Sequence, residues 1–367
     1  MFFSRKTKAP IIIPFNQRVA AFWTWFAEQS ARFYETLESG KCPDLTDEVS
    51  AKCEDIIPGL AWVFGADSEA KGGHSFTLSP EGNSHKRLLT EFWLSQAPEL
   101  PGWTFYASRQ PSHDFNEGIK LEINGQSIKA GEIWVTLHAQ RDSQVINLSA
   151  WHPAFSELPE NAAYQIIFIM LDEALGEDAV ENHIGDIHIR NDKLAKSVPI
   201  HELRQEVESI RASWQAPEQF GAYSIYRLPE PDDSFIRSDT LVGNTRHRRL
   251  INDFLGERGQ IPENPFEGMG AEFVFVSFPS SHLPRGEESS RRGEIEEAIE
   301  KALKPELRGE CIGGATGARL SYIDLLLYDP GEETKDKLRE ALAAFGLTGE
   351  AKLHPFIGNA NQPLCEL

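Results

Sequence analysis

The chain has 367 residues, with 36 Lys and Arg against 56 Asp and Glu for a formal net charge of -20, and a mean hydropathy of -0.38. A single core rarely grows past about 250–300 residues, so two domains are expected. The charge repels phosphate backbones and excludes generic nucleic-acid binding, while an apolar fraction of 40% excludes both wholesale disorder and a membrane-embedded chain.

The apolar run Ile11-Ile12-Ile13, bracketed by Pro10 and Pro14, is too short for a secretory or membrane-spanning segment. The four cysteines form no CxxC pair and no disulfide scaffold. A cytoplasmic protein that contacts no membrane is therefore expected. Val19, Phe22, Phe26, Phe33 and Leu37 recur at helical spacing, so residues 16–38 read as an amphipathic helix with Asn16 as its N-cap, ended by Gly40. A second helix covers about 46–57, before Pro58. Strands are expected at 60–65 and 74–79, a helix at 84–97, and a strand at 103–108. Ile119, Leu121 and Ile123 alternate ahead of Asn124-Gly125, a hairpin signal. Strands at 132–140 and 144–151 pair across Arg141-Asp142-Ser143. Pro159 and Pro199 open helices that run to Leu175 and Trp214. These elements predict a mixed α+β domain built on an antiparallel sheet.

All eight tryptophans lie before residue 215, a composition break that places a boundary near 216. Residues 1–215 are then the Trp-rich domain. Residues 216–270, rich in Pro, Gly, Asp and Asn with one helical candidate at Thr245 to Leu255, read as an irregular connecting segment. From 271 onward the pattern is a strand at 271–278, a helix at 289–303, strands at 309–313 and 319–328 around the turn Gly313-Gly314-Ala315-Thr316-Gly317, a helix at 331–345 and a strand near 350–354. This β-α-β-β-α-β order predicts a ferredoxin-like domain over 271–367, so the fold class is α+β in both parts. Both faces of strands 271–278 and 319–328 are apolar, which requires a cover over the sheet face that such a module leaves open: the first domain, a second copy of the chain, or a ligand. An RNA platform is a poor fit, because residues 271–367 hold 11 basic and 17 acidic side chains.

No phosphate loop, dinucleotide fingerprint, HExxH, GxSxG or EF-hand signature is present, and no cofactor is implied. The nearest approach to a metal site is Glu181, His183, Asp186, His188 and Asp192. On a strand, Asp186, His188 and Arg190 share one face, where imidazole and carboxylate suit zinc or iron and the arginine opposes a cation. Asp324, an acid on an apolar strand face between Tyr322 and Tyr328, is a candidate ligand-binding or perturbed group and equally a satisfied core residue. Arg246 and Arg249, in the dense basic cluster 246–249, share a helix face and suit either an internal salt-bridge network or an anionic patch on a partner. Trp25 lies off the apolar stripe of the first helix and is a candidate interface anchor.

The segments Phe22-Trp23-Thr24-Trp25-Phe26, Leu78-Ser79-Pro80-Glu81-Gly82 and Ala97-Pro98-Glu99-Leu100-Pro101-Gly102-Trp103, with the Gly313 to Gly317 run followed by Ser321-Tyr322-Ile323-Asp324, resemble a pattern seen in uncharacterised acidic bacterial two-domain proteins of unknown function. The resemblance spans both parts, carries no catalytic residue across, and implies a regulatory or immunity-like role. The expectation is a non-catalytic protein that turns its acidic surface toward a basic protein partner, with a homodimer compatible. The alternatives are a metal-assisted hydrolase using the 181–192 segment and a histidine from elsewhere, and a small-molecule sensor binding between the domains beside Tyr322, Asp324 and Tyr328.

Overall fold

The computed structural model describes residues 12–66, 73–123, 125–141, 145–214 and 223–367; Asn124, the Asp142-Ser143 turn and the boundary near 216 lie outside them. In chain order the elements are α1 (Phe15–Glu38), α2 (Thr46–Ile56), β1 (Ala61–Ala66), β2 (His74–Ser79), α3 (Ser84–Ser95), β3 (Trp103–Tyr106), β4 (Lys120–Ile123), β5 (Gln126–Lys129), β6 (Trp134–Gln140), β7 (Val145–Trp151), α4 (Glu160–Leu175), α5 (Glu177–His183), β8 (Ile184–Ile189), β9 (Val198–Pro199) and α6 (Leu203–Trp214). They continue as β10 (Ser224–Tyr226), β11 (Thr240–Thr245), α7 (Arg248–Gly256), β12 (Glu272–Pro279), α8 (Glu288–Leu303), β13 (Gly309–Gly317), β14 (Leu320–Leu327), α9 (Glu332–Ala343), β15 (Lys352–Pro355) and β16 (Cys365–Glu366). The fold is mixed α+β. Two compact units share the chain: described residues of 1–28, 51–58 and 221–367 form one, and those of 29–50 and 59–220 the other. Residues 12–28 thus group with the C-terminal elements. Backbone bonds account for this, since Phe15 N–H donates to Gly270 O and Asn16 N–H to Tyr328 O, while Arg18 donates to the carbonyls of Asp55 and Gly268.

In the unit holding the C-terminal residues, one seven-stranded sheet runs in the order β10-β11-β13-β14-β12-β15-β16. Helices α8 and α9 link β12 to β13 and β14 to β15, and both cover the same face. There Val274, Val276, Ile323, Leu325 and Leu353 pack with Ile295, Ile299, Leu338 and Leu342. The opposite face is covered by the chain itself, from the segment expected to be irregular. Phe254 of α7 lies 5.8 Å from Phe275 and 5.2 Å from Phe356, and Phe266 lies 4.6 Å from Phe273. That segment also supplies β10 and β11, so residues 223–270 are an integral part of the sheet and its cover. A low density of apolar residues hid this, because β11 gains its place through pairing with β13 rather than through a hydrophobic stripe.

The run Gly313 to Gly317 is strand, not turn; the reversal falls at Ala318-Arg319, where the Asp239 carboxylate accepts the backbone N–H of Arg319 and Leu320 at 2.8 and 3.0 Å. Its glycines answer to crowding. A Cβ on Gly313 would stand 2.4 Å from Asn244 O, and one on Gly314 would stand 2.6 Å from Tyr322 O and 2.7 Å from Glu296 Oε1.

Under the aromatic cover lies a buried ion pair. Arg237 and Asp324 are both about 1% exposed, and the guanidinium holds the carboxylate in a two-pronged contact, Nη1 to Oδ1 and Nη2 to Oδ2. Nη2 also donates to Tyr226 Oη at 2.8 Å. Rings of Phe275, Tyr322 and Phe356 surround the guanidinium at 5.0, 5.0 and 5.2 Å. Arg237 sits in the left-handed region at φ 73°, a conformation costing roughly 1–2 kcal/mol. Its N–H donates to Tyr322 Oη, which in turn donates to Asp239 Oδ1 at 2.5 Å.

The other unit carries two sheets rather than one antiparallel sheet. Strands β1-β2-β3 form the first and β8-β7-β6-β9 the second, beside a β4-β5 hairpin. Each sheet contains a parallel pair, β2 with β3 and β7 with β8, because α3 in one case and α4 with α5 in the other supply the crossover that parallel neighbours need. Ile146, Leu148, Ile166, Ile167, Met170 and Leu203 head the core of the second sheet.

Breaking the buried pair on one side leaves an uncompensated charge. Arg237→Met is expected to lower the stability of its unit by about 3–5 kcal/mol, and Arg237→Met combined with Asp324→Leu to cost markedly less. Denaturant titration of the two variants checks this; a single variant no weaker than the double one contradicts it.

Candidate functional site

Tyr322, Asp324 and Tyr328, the candidates to face a ligand under the sensor alternative, are buried and occupied by the chain itself, Asp324 as a satisfied core residue. Tyr328 Oη donates to Glu310 Oε1 at 2.8 Å and its ring packs 6.0 Å from Phe15. His354, on the same face, stacks 5.0 Å from Phe275. Its Nδ1 is 2.8 Å from Ala360 O and its Nε2 2.9 Å from Ser277 Oγ, which places the proton on Nδ1. Burial pushes its pKa down. All of these polar atoms are spent internally.

The 181–192 segment is divided between two elements. Glu181 and His183 lie on α5, whereas Asp186, His188 and Arg190 stand exposed on and just past β8, alternating with half-buried Ile187 and Ile189. Arg190 pairs with Asp192 at 3.6 Å. Burial, aided by Arg211, holds His183 down to about 4. The register of β7 with β8 sets His188 beside Ser149, and His138 Nε2 lies 3.2 Å from Ser149 Oγ. Asp186, His188, Ser149 and His138 therefore gather around one part of the second sheet. Among the described residues no group of three His, Cys, Asp or Glu is placed to hold a metal ion. The Ser149–His138 contact brings together the residue types of a nucleophile and a general base.

A second polar cluster escaped the sequence reading. Arg87 of α3 is buried, with Glu181 at 3.5 Å, Glu91 at 3.7 Å and Asp178 at 4.0 Å. Nearby, the buried Glu177 carboxylate accepts from Ser79 Oγ, Gly82 N–H and Arg109 N–H. Burial outweighs Arg87 and pushes Glu181 up to about 7; burial and Glu177 push Asp172 up to about 6. Nothing in Ser84-His85-Lys86-Arg87-Leu88 marks the arginine as internal, since its partners come from residues 178 and 181.

The basic cluster is engaged locally. Arg246 precedes α7 rather than sharing its face with Arg249, because the helix begins at Arg248; it pairs with Glu310 at 3.2 Å, and Arg249 pairs with Asp253 at 3.6 Å. Trp25 is half-buried, 5.4 Å from Phe22 with Lys52 over its ring.

What lies open is the edge of the seven-stranded sheet. Ile225 of β10 is 69% exposed, Leu241 and Val242 of β11 48% and 37%, and Tyr223, just before β10, 49%. Asn244 reaches Arg292 of α8 and stands opposite Ile225 in register, so Ile225 shares the α8 face. Tyr226, opposite Gly243, turns the other way toward Arg237. Carboxylates of α8 flank this edge: Glu300 accepts Cys311 N–H at 2.7 Å, Tyr223 Oη donates to Cys311 O at 3.1 Å, and Glu296 pairs with Arg292.

Glu181 generates a pH prediction. Its folded pKa, about 7, stands above the ordinary 4.5, so the folded state binds the extra proton between these values and stability rises as pH falls from about 7 toward 4.5. Glu181→Gln is expected to flatten that slope and to raise the thermal midpoint at pH 8 by about 2–4 °C; melting curves across this window check it, and an unchanged slope contradicts it. No helix among the described residues is long and apolar enough to cross a membrane. No protein-family model, curated protein or solved structure matches the chain.

Proposed function

We propose that this is a non-catalytic, cytoplasmic binding protein of regulatory type, immunity-like in character, whose partner is a basic protein. The observation that carries the reading is the sheet edge at β10 and β11, where exposed apolar side chains lie beside carboxylates in a chain of net charge -20. Exposed apolar patches rimmed by polar groups mark interaction sites, and a long-range negative field accelerates encounter with a cationic partner. The internal pairing of Arg237, Asp324, His354 and Glu177 supports it further, since these groups hold structure together. The resemblance to acidic bacterial proteins with regulatory settings points the same way.

The strand order β13-β14-β12-β15, with both connecting helices on one face, supports reading 271–367 as a ferredoxin-like module, extended by β10 and β11 on one side and by β16 on the other. The compact units support a division between the Trp-rich part and the rest near residue 220, with residues 12–28 assigned to the C-terminal side.

A hydrolase is the second reading, favoured by the Ser149–His138 contact beside His188. Labelling with a fluorophosphonate probe separates the two readings: a binding protein leaves Ser149 unmodified, and labelling lost in His138→Ala supports the hydrolase. The binding reading is checked by fluorescence anisotropy with two labelled peptides, one alternating Lys and Val, the other Glu and Val. The Lys peptide is expected to bind, and to bind more weakly as salt rises; no binding, or equal binding of both peptides, overturns the proposal.

A further inference from the structure

We infer that β10 receives an extended, alternately basic and apolar segment of the partner as an added strand. The inference rests on the binding reading above and specifies its mode. Strand β10 stands last in the sheet order and pairs only with β11, so the backbone groups on its other side have no strand partner among the described residues. Natural edges are commonly blunted by charge, proline or a bulge. Here the middle residue, Ile225, is the most exposed large apolar side chain of the chain's described residues. Proline enters only at Pro229 and Pro231, which limits the receptive stretch to about Tyr223–Arg227.

An added strand sends alternate side chains to the two sheet faces. On the α8 face those side chains meet Tyr223, Ile225 and Val242, and the same face carries Glu296, Glu297 and Glu300 along one side of α8. Tyr223 lies in the field of Arg246 as well as of Glu296 and Glu300, and Arg246 is itself paired with Glu310 at 3.2 Å. An apolar residue over Ile225, followed by a lysine or arginine whose stem covers Val242, matches this surface in both hydrophobicity and charge. Arg227 at the far end of β10 repels a cation there, whereas Arg246 at the Tyr223 end is paired with Glu310, so the basic residues belong at the end near Tyr223. A second copy of this chain is a worse occupant. Edge-to-edge pairing of two copies brings together two rims of α8 carboxylates in molecules that each carry a charge of -20.

Measurements on the full chain test the inference, with the Lys-Val peptide as the binding probe. Hydrogen exchange is expected to slow at the Tyr223–Arg227 amides on peptide addition. Ile225→Lys is expected to weaken binding at least tenfold while leaving the melting temperature unchanged, and Phe168→Lys, an exposed control far along the sequence, is expected to bind like the parent. A fully backbone-N-methylated version of the peptide is expected not to bind. If the methylated peptide binds as well as the parent, or Ile225→Lys has no effect, strand addition is wrong while the basic-partner reading survives. If neither peptide binds, the reading itself falls. Concentration-dependent dimerisation by sedimentation that Ile225→Lys abolishes identifies a second copy as the occupant and overturns the inference.

Discussion

Arg237 and Asp324 come from parts of the chain 87 residues apart, and each would be too costly to bury alone, by several kcal/mol even after relaxation. Closed on one another, and with Tyr226 and three aromatic rings around the guanidinium, they become compatible with a dry layer. This contact fixes where the covering segment meets the sheet. It also explains why Asp239, two residues along, reaches Tyr322 and the Arg319 and Leu320 amides, so that one short stretch sets both the cover and the β13-β14 reversal.

The same logic recurs with different outcomes elsewhere. Arg308 is buried among Glu306, Asp329 and Glu333, and Arg292 ties Glu296 to Thr316 and Asn244. Arg87 sits among carboxylates at 3.5–4.0 Å. A chain so rich in acid can thus afford buried arginines as internal counter-ions, which lowers the self-repulsion of the compact state. Against this background of buried charge, Ile225 at the sheet edge is the most exposed large apolar side chain among the described residues.

Much of the architecture could be read from periodicity. Helix α1 followed from Val19, Phe22, Phe26 and Phe33, and its stop from Gly40, whose φ of 72° favours glycine. The two-faced burial of β12 and β14 followed from apolar residues at both odd and even positions, such as Phe273 to Val276 and Leu325 to Leu327. Other features were illegible for physical reasons. The Gly313 to Gly317 run looks like a turn because glycine signals both positive φ and close approach, and only the position of Asn244 and Tyr322 separates the two. Arg237 lies among Pro, Asp and Ser, where nothing local announces burial, and Asp324 reveals no partner because long-range pairing leaves no trace in one sequence. For the candidate site, His188 and Asp186 were correctly set on one strand face, but their neighbours Ser149 and His138 come from other strands. The exposed edge was invisible because β10 is three residues long and follows no alternation of its own.

Residue Asn16 donates its backbone N–H to Tyr328, more than three hundred positions away, and the sheet between them takes its strands in an order that sequence does not follow. Contacts of such span close late, because the entropy of a long loop is lost before the contact returns anything. During synthesis the start of α1 is made long before β14 and has no strand to rest on until β14 follows. Phe15, Phe22 and Trp23, buried in the folded chain, therefore wait for their cover, and transiently exposed apolar surface of this kind is the general source of aggregation during synthesis.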